Sequence, residues 1–171
     1  DIEYMKEFDF VHSGNYCYTE SQLQKMKEAG IKVSFDFSDD STIEYYKKYA
    51  PFVTYAFCSF DGDDEKAKEH LKFVYSLGPE IVSVTRGVKG CIMYDGERFY
   101  TQPAKVVDNV VDTLGAGDAF LTIFMDSYID GLHNGVDKQN AIMKALDEAA
   151  EFSAKVCQMN GAFGYGTPYL N

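Results

Sequence analysis

Four times in the first half of the chain a short run of β-branched or aromatic residues gives way to turn residues and then to a segment of helical period. Few folds accommodate that alternation. Phe8 to Val11, Ile31 to Phe37, Phe52 to Phe57 and Ile81 to Thr85 read as strands. Between them, TESQLQKMKEAG places Leu23 and Met26 on one face, with Thr19 and Gln22 at capping-box spacing and Gly30 as the stop. Ser41 and Glu44 repeat that spacing before Tyr45 and Tyr46, and Pro51 closes the short helix. Asp63 or Asp64 can cap a third helix that buries Ala67, Leu71 and Val74 and ends at Gly78-Pro79. Strands joined by whole helices cannot be hairpin partners, so the reading is an α/β chain with a parallel sheet and helical crossovers.

The pattern then changes. CIMYDGERFYT puts Asp95-Gly96 between two short runs, a hairpin signal that adds an antiparallel edge. An apolar, strand-like stretch from about Val106 to Val111 follows, then a glycine-rich turn. Helical segments run from about Ala116 to Ile129 and from about Asp137 to Val156, the second capped by Asp137. With no linker or internal repeat, residues 1–171 read as one α/β domain.

Charge narrows the partners. Sixteen Lys and Arg against twenty-seven Asp and Glu leave a net charge of −11, which repels phosphate backbones and anionic lipid, so neither nucleic acid nor a membrane surface is expected. No apolar run approaches the roughly 18–20 residues of a membrane span. DIEYMKEFDF lacks the zones of a secretory signal and an initiator Met, so a trimmed cytoplasmic chain is expected. Cys17, Cys58, Cys91 and Cys157 have neither zinc-site nor disulfide spacing and read as buried thiols in a reducing compartment. His12, His70 and His133 share no ligand spacing, and Tyr45, Tyr46 and Tyr49 read as packing residues.

Chemistry concentrates in VVDNVVDTLGAGDAFLTIFMDSYIDG. Gly115, Ala116 and Gly117 precede a long helix, so their N–H groups and the helix's first free donors make a site for a phosphate or a developing oxyanion. Asp118 lies in that first turn. A carboxylate there weakens anion binding, which suggests another task, accepting a proton from a hydroxyl nucleophile. The alternative for so short a motif is a tight turn followed by an ordinary first-turn acid.

DTLGAGDAF closely resembles the DTxGAGD signature of the PfkB carbohydrate kinases, the ribokinase-like family, and VSVTRGVKGCIMYDG resembles that family's T-x-G-x-x-G nucleotide segment. VHSGNY, VSFDFSDD, YAFCS and GAF are most similar to the fructoselysine 6-kinase branch. The resemblance implies a ribokinase-like three-layer α/β/α fold, present here as its C-terminal part, with the N-terminal half and lid outside the chain. It implies an ATP-dependent kinase that phosphorylates a sugar or sugar-amine hydroxyl, a fructoselysine-like acceptor being favoured, and that is inactive as this isolated piece. The competing reading is a truncated, non-catalytic nucleotide- or anion-binding module. A homodimer is compatible with either.

The resemblance also implies roles. Asp118 is the base, and Gly115, Ala116 and Gly117 form the anion hole. Thr85, Gly87, Lys89 and Gly90 line the nucleotide's phosphates and ribose. Ala149, Phe152, Ser153 and Gly161 wall the adenine, with core packing an equal reading. Asp112 and Thr113 fix the loop beside a monovalent cation such as K⁺. The family often carries an Asn-x-x-Glu pair for Mg²⁺, whereas this chain has CSFDGDDEK; Asp61, Asp63, Asp64 or Glu65 could substitute, or the acids could simply cap a helix.

Overall fold

The computed structural model describes residues 1–164, the side chain of Phe163 aside. The chain divides into two compact units, Asp1–Arg86 with Cys91–Thr101, and Gly87–Gly90 with Gln102–Asn171.

The first unit carries strands β1 (Val11–Gly14), β2 (Val33–Asp36), β3 (Tyr55–Ser59), β4 (Ile81–Thr85), β5 (Cys91–Tyr94) and β6 (Phe99–Gln102), neighbours in the sheet in that same order. The first four run parallel and β5 returns antiparallel to β4, with Phe35 opposite Ala56, Phe57 opposite Ser83, and Val84 opposite Ile92. Helices α1 (Ile2–Met5), α2 (Glu20–Glu28), α3 (Ile43–Tyr49) and α4 (Asp64–Tyr75) precede or link the strands. Alternate strand residues Val33, Phe35, Ala56, Cys58, Val82 and Val84 pack with Leu23 and Met26 of α2, Tyr46 of α3, and Ala67, Leu71 and Val74 of α4. Each of the larger ones, such as Val33, Phe35, Leu23 and Leu71, contributes roughly 1.5–3 kcal/mol by leaving water. At the hairpin, Gly96 has φ +95°, and a Cβ there would fall 2.1 Å from the Tyr75 hydroxyl. The Asp95 carboxylate accepts from the N–H groups of Glu97 and Arg98, each at 2.9 Å.

In the second unit α5 (Ala116–His133) and α6 (Lys138–Val156) pack along each other. Phe120, Phe124, Met125 and Tyr128 are buried on α5, and Ile142, Ala145, Leu146 and Ala149 on α6. Asp137 caps α6 by accepting from the Asn140 N–H at 3.1 Å.

The α/β class, the mainly parallel sheet and the antiparallel edge are those expected. Several local expectations are corrected. Pairing at the first strand starts at Val11 instead of Phe8, because the partner strand begins at Val33, and Phe8 is exposed. Thr19 does not cap α2 with its side chain, since its hydroxyl is bonded to that of Ser13. The cap of α3 is Thr42, which accepts from the Tyr45 N–H at 3.2 Å, while the Ser41 hydroxyl donates to the Phe37 carbonyl. Val106 to Val111 forms no strand; Val106 is 94% exposed, and the N–H groups of Val111 and Asp112 both bond the Cys157 carbonyl. Cys58 and Cys91 are buried, which pushes each thiol up to about 12, but Cys17 is exposed. Among the described residues no helix is long and apolar enough to cross a membrane.

Candidate active site

The site begins with an incomplete cap. Gly115 is the N-cap of α5 with φ +75° and no side chain to offer, and a Cβ there would sit 3.0 Å from that of Ala162. A helix start leaves its first N–H groups without intrahelical partners. Here the Ala116 N–H reaches the Thr113 carbonyl at 3.2 Å and the Ala119 N–H reaches Gly115 at 2.9 Å. The N–H groups of Gly115, Gly117 and Asp118 make no hydrogen bond among the described residues. Of the three residues expected to form the anion hole, Gly115 and Gly117 have unpartnered N–H groups among the described residues, and that of Ala116 bonds the Thr113 carbonyl.

Gly117 is informative because nothing crowds it. Beyond its chain neighbours and its own helix backbone, no heavy atom lies within 4 Å of where its Cβ would be, and it occupies a helical position where glycine costs about 1 kcal/mol relative to alanine. Folding alone does not call for a glycine there, whereas close approach of a ligand does. Asp118 is exposed in the same turn, and its side chain makes no hydrogen bond or ion pair among the described residues.

The loop is held from α6 and the residues that follow it. The Asp112 carboxylate accepts from the Leu114 N–H through Oδ1 and from the Gly161 N–H through Oδ2, each at 3.0 Å, and these two donors hold its carboxyl below the usual carboxylate range. The Ser153 hydroxyl donates to the Ala116 carbonyl at 2.9 Å, and the Cys157 carbonyl takes two N–H groups from residues 111 and 112. The four residues that the resemblance associates with adenine lie in this same region. Ala149 is fully buried, and Gly161 is buried with its N–H bonded to Asp112. Ser153 is half-buried and serves the loop. Of the four, Phe152 is exposed, on a groove of about 360 Å³ that it shares with Ile123, Ser127 and Glu148 of α5 and α6.

At the other motif, Thr85 ends β4, and Gly87–Lys89 forms one 3-10 turn closed by the Gly90 N–H on the Gly87 carbonyl at 3.0 Å. Gly87 has φ +54° with open space around it, and Val88 and Lys89 are exposed. Gly90 is different: at φ +84° its Cβ would fall 2.1 Å from the Gln102 carbonyl oxygen. The two unlike glycines give a paired prediction. Gly90→Ala should destabilise the fold by more than about 2 kcal/mol in urea unfolding, while Gly117→Ala should leave stability unchanged or raised by up to about 1 kcal/mol and still impair phosphate-ligand binding. Equal stability losses in the two variants would remove the distinction.

The four acids after β3 are mostly engaged. Asp63 caps α4 through the Lys66 N–H at 2.9 Å, Asp64 pairs with Arg86 at 2.6 Å, and Glu65 pairs with Lys68 at 2.9 Å. Asp61 is exposed and, of the four, is the one with no partner among the described residues. Among the described residues no group of three or more His, Cys, Asp or Glu is arranged to hold a metal ion. Mg²⁺ bound chiefly by nucleotide phosphates and water requires no such cage, and one carboxylate such as Asp61 fits that mode. The Asp64–Arg86 pair was not legible in the sequence, because its partners stand 22 residues apart with no shared pattern.

Residues 3–163 match the pfkB family carbohydrate kinase profile. The chain is 38% identical over 170 residues to fructosamine kinase FrlD of Bacillus subtilis, covering 99% of this chain and 56% of that protein. It is 29% identical over 163 residues to fructoselysine 6-kinase of Escherichia coli, covering 95% and 59%. Among solved structures, ribokinase from Giardia lamblia superposes with a TM-score of 0.80 at 15% identity, over 94% of this chain and 56% of that one. The acarbose kinase Mak1 gives 0.74 at 24% identity, over 98% and 54%. The chain thus spans little more than half the length of its relatives.

Proposed function

Since the chain belongs to the pfkB family of carbohydrate kinases, we propose that it is the nucleotide-binding and catalytic-base portion of an ATP-dependent sugar kinase. The observation that carries this reading is the first turn of α5, where the unpartnered N–H groups of Gly115, Gly117 and Asp118 and the exposed Asp118 carboxylate stand within four residues. An anion site alone has no use for that carboxylate; a phosphoryl-transfer site does.

The Asp118 carboxylate accepts the proton of an acceptor hydroxyl as that oxygen forms its bond to the γ-phosphorus and the bond from phosphorus to the β-phosphate oxygen breaks. The three N–H donors stabilise charge on the transferring group's equatorial oxygens, and being fixed by the α5 start they need no reorganisation. Asp112, Ser153 and the Cys157 carbonyl hold that donor loop in place. Gly87 and Lys89 present backbone and a cation to the nucleotide's phosphates. Mg²⁺ would supply charge neutralisation to the nucleotide's phosphates when bound; a monovalent cation such as K⁺ near Asp112 and Thr113 belongs to the same reading. Similarity to FrlD over 99% of the chain supports a fructoselysine-like acceptor. The protein would then act in the cytoplasm, where ATP and such acceptors meet.

A coupled assay on the full-length protein with ATP, Mg²⁺ and K⁺ tests this. Fructose-lysine is expected to be phosphorylated with a higher kcat/KM than fructose or a nucleoside. No ATP-dependent turnover on any sugar or sugar-amine would leave the anion-binding module as the surviving account.

A further inference from the structure

Arg86 lies between Thr85, the last residue of β4, and Gly87, the first of the exposed turn. Its side chain is only 3% exposed, the reverse of an arginine's habit of burying its stem and keeping its charge in water. A buried guanidinium is costly unless paired. Its Nη1 donates to the Asp64 Oδ1 at 2.6 Å, while its Nε has no hydrogen-bond partner among the described residues. Asp64 is the first residue of α4, but the capping of that helix is already done by Asp63. The Asp64 carboxylate, on a side chain that is 63% exposed, reaches from the helix start to the buried cation.

The turn beyond has little packing of its own at its entry. Nothing lies within 4 Å of the Gly87 Cβ position, and Val88 is 95% exposed. The end of β4 itself is stitched to β3, where the Phe60 N–H donates to the Thr85 carbonyl at 3.0 Å. Arg86 is the side chain that carries this anchoring one residue further, to the point where the turn departs.

We propose that Asp64 and Arg86 form a clasp that fixes the entry to the Gly87–Gly90 turn, making Asp64 a positioning residue for nucleotide binding. This rests on the sugar-kinase reading of that turn.

The test uses the full-length protein, with steady-state kinetics and direct calorimetric titration of ATP·Mg²⁺. Asp64→Asn and Arg86→Lys are each expected to weaken ATP binding and raise its KM by about five- to tenfold, with kcat and the acceptor KM within about twofold. Asp64→Glu, which keeps the charge, restores most of the affinity. The double variant Asp64→Asn/Arg86→Met, which leaves no buried charge unpaired, is no worse than either single change, and it reports if Asp64→Asn alone folds poorly. ATP affinity within twofold of wild type in both single variants, or parallel losses in kcat and both KM values, overturns the clasp. Asp118→Asn in the same assay separates the two ideas: if the wild type turns over and Asp118→Asn does not, a silent Asp64 sinks only the clasp. If the wild type shows no turnover, the kinase reading fails, and the calorimetric arm still decides whether Asp64 governs nucleotide binding.

Discussion

Asp118→Asn in the full-length protein should lower kcat by about 100-fold or more, the usual worth of a general base, while ATP affinity stays close to wild type. Asparagine keeps the size, the planar head and the helix start, but its amide cannot accept a proton from a hydroxyl. The Asp118 side chain is exposed and makes no hydrogen bond or ion pair among the described residues, so no structural bond is lost with its charge. The three free N–H donors of the loop are backbone groups and survive the change. Removing a negative charge beside them, if anything, favours an anion there. Loss of turnover with unchanged or tighter ATP binding would therefore separate a base from a binding residue. Wild-type turnover in a clean preparation would take Asp118 out of the chemistry and return it to an ordinary first-turn acid.

How much of this was legible in the sequence depended on whether the signal was local. DTLGAGDAF states its own geometry: a positive-φ glycine, a helix start and an acid in the first turn are all set by near neighbours. The structure has Gly115 at φ +75° and α5 beginning at Ala116. The strand Ile81–Thr85 and the turn at Asp95-Gly96 are local in the same sense. The errors fall where a distant partner decides. Val106 to Val111 has strand composition, but no strand pairs with it; its end is fixed by the Cys157 carbonyl, far along the chain. Thr19 has the type and spacing of a capping residue, but its hydroxyl is drawn to Ser13. The buried Arg86 was invisible for the same reason, since nothing in TRG shows that its guanidinium turns inward to meet Asp64.

A polypeptide of these 171 residues alone should phosphorylate no acceptor at a useful rate, although it should retain weak affinity for ATP. The curated relatives that match it do so over only 56% and 59% of their own lengths, and the family resemblance implies that acceptor contacts and a lid lie in the remainder. Holding donor and acceptor in line is worth effective molarities on the order of 10⁵–10⁸ M, and a closing lid keeps water from competing as nucleophile. The loop, the base and the turn cannot replace those terms, because they act on the phosphoryl group and leave the attacking oxygen unplaced. The isolated chain should also self-associate. β1 ends the sheet with no strand on its outer side among the described residues, and exposed Phe8, Tyr16 and Tyr18 lie close to it in sequence. Side-by-side coupled assays of this chain and the full-length protein, with sedimentation of each, check both statements. Full-length turnover by the 171 residues on any acceptor would mean that the acceptor pocket is built from residues described here, and the assignment of that pocket to the rest of the protein would be wrong.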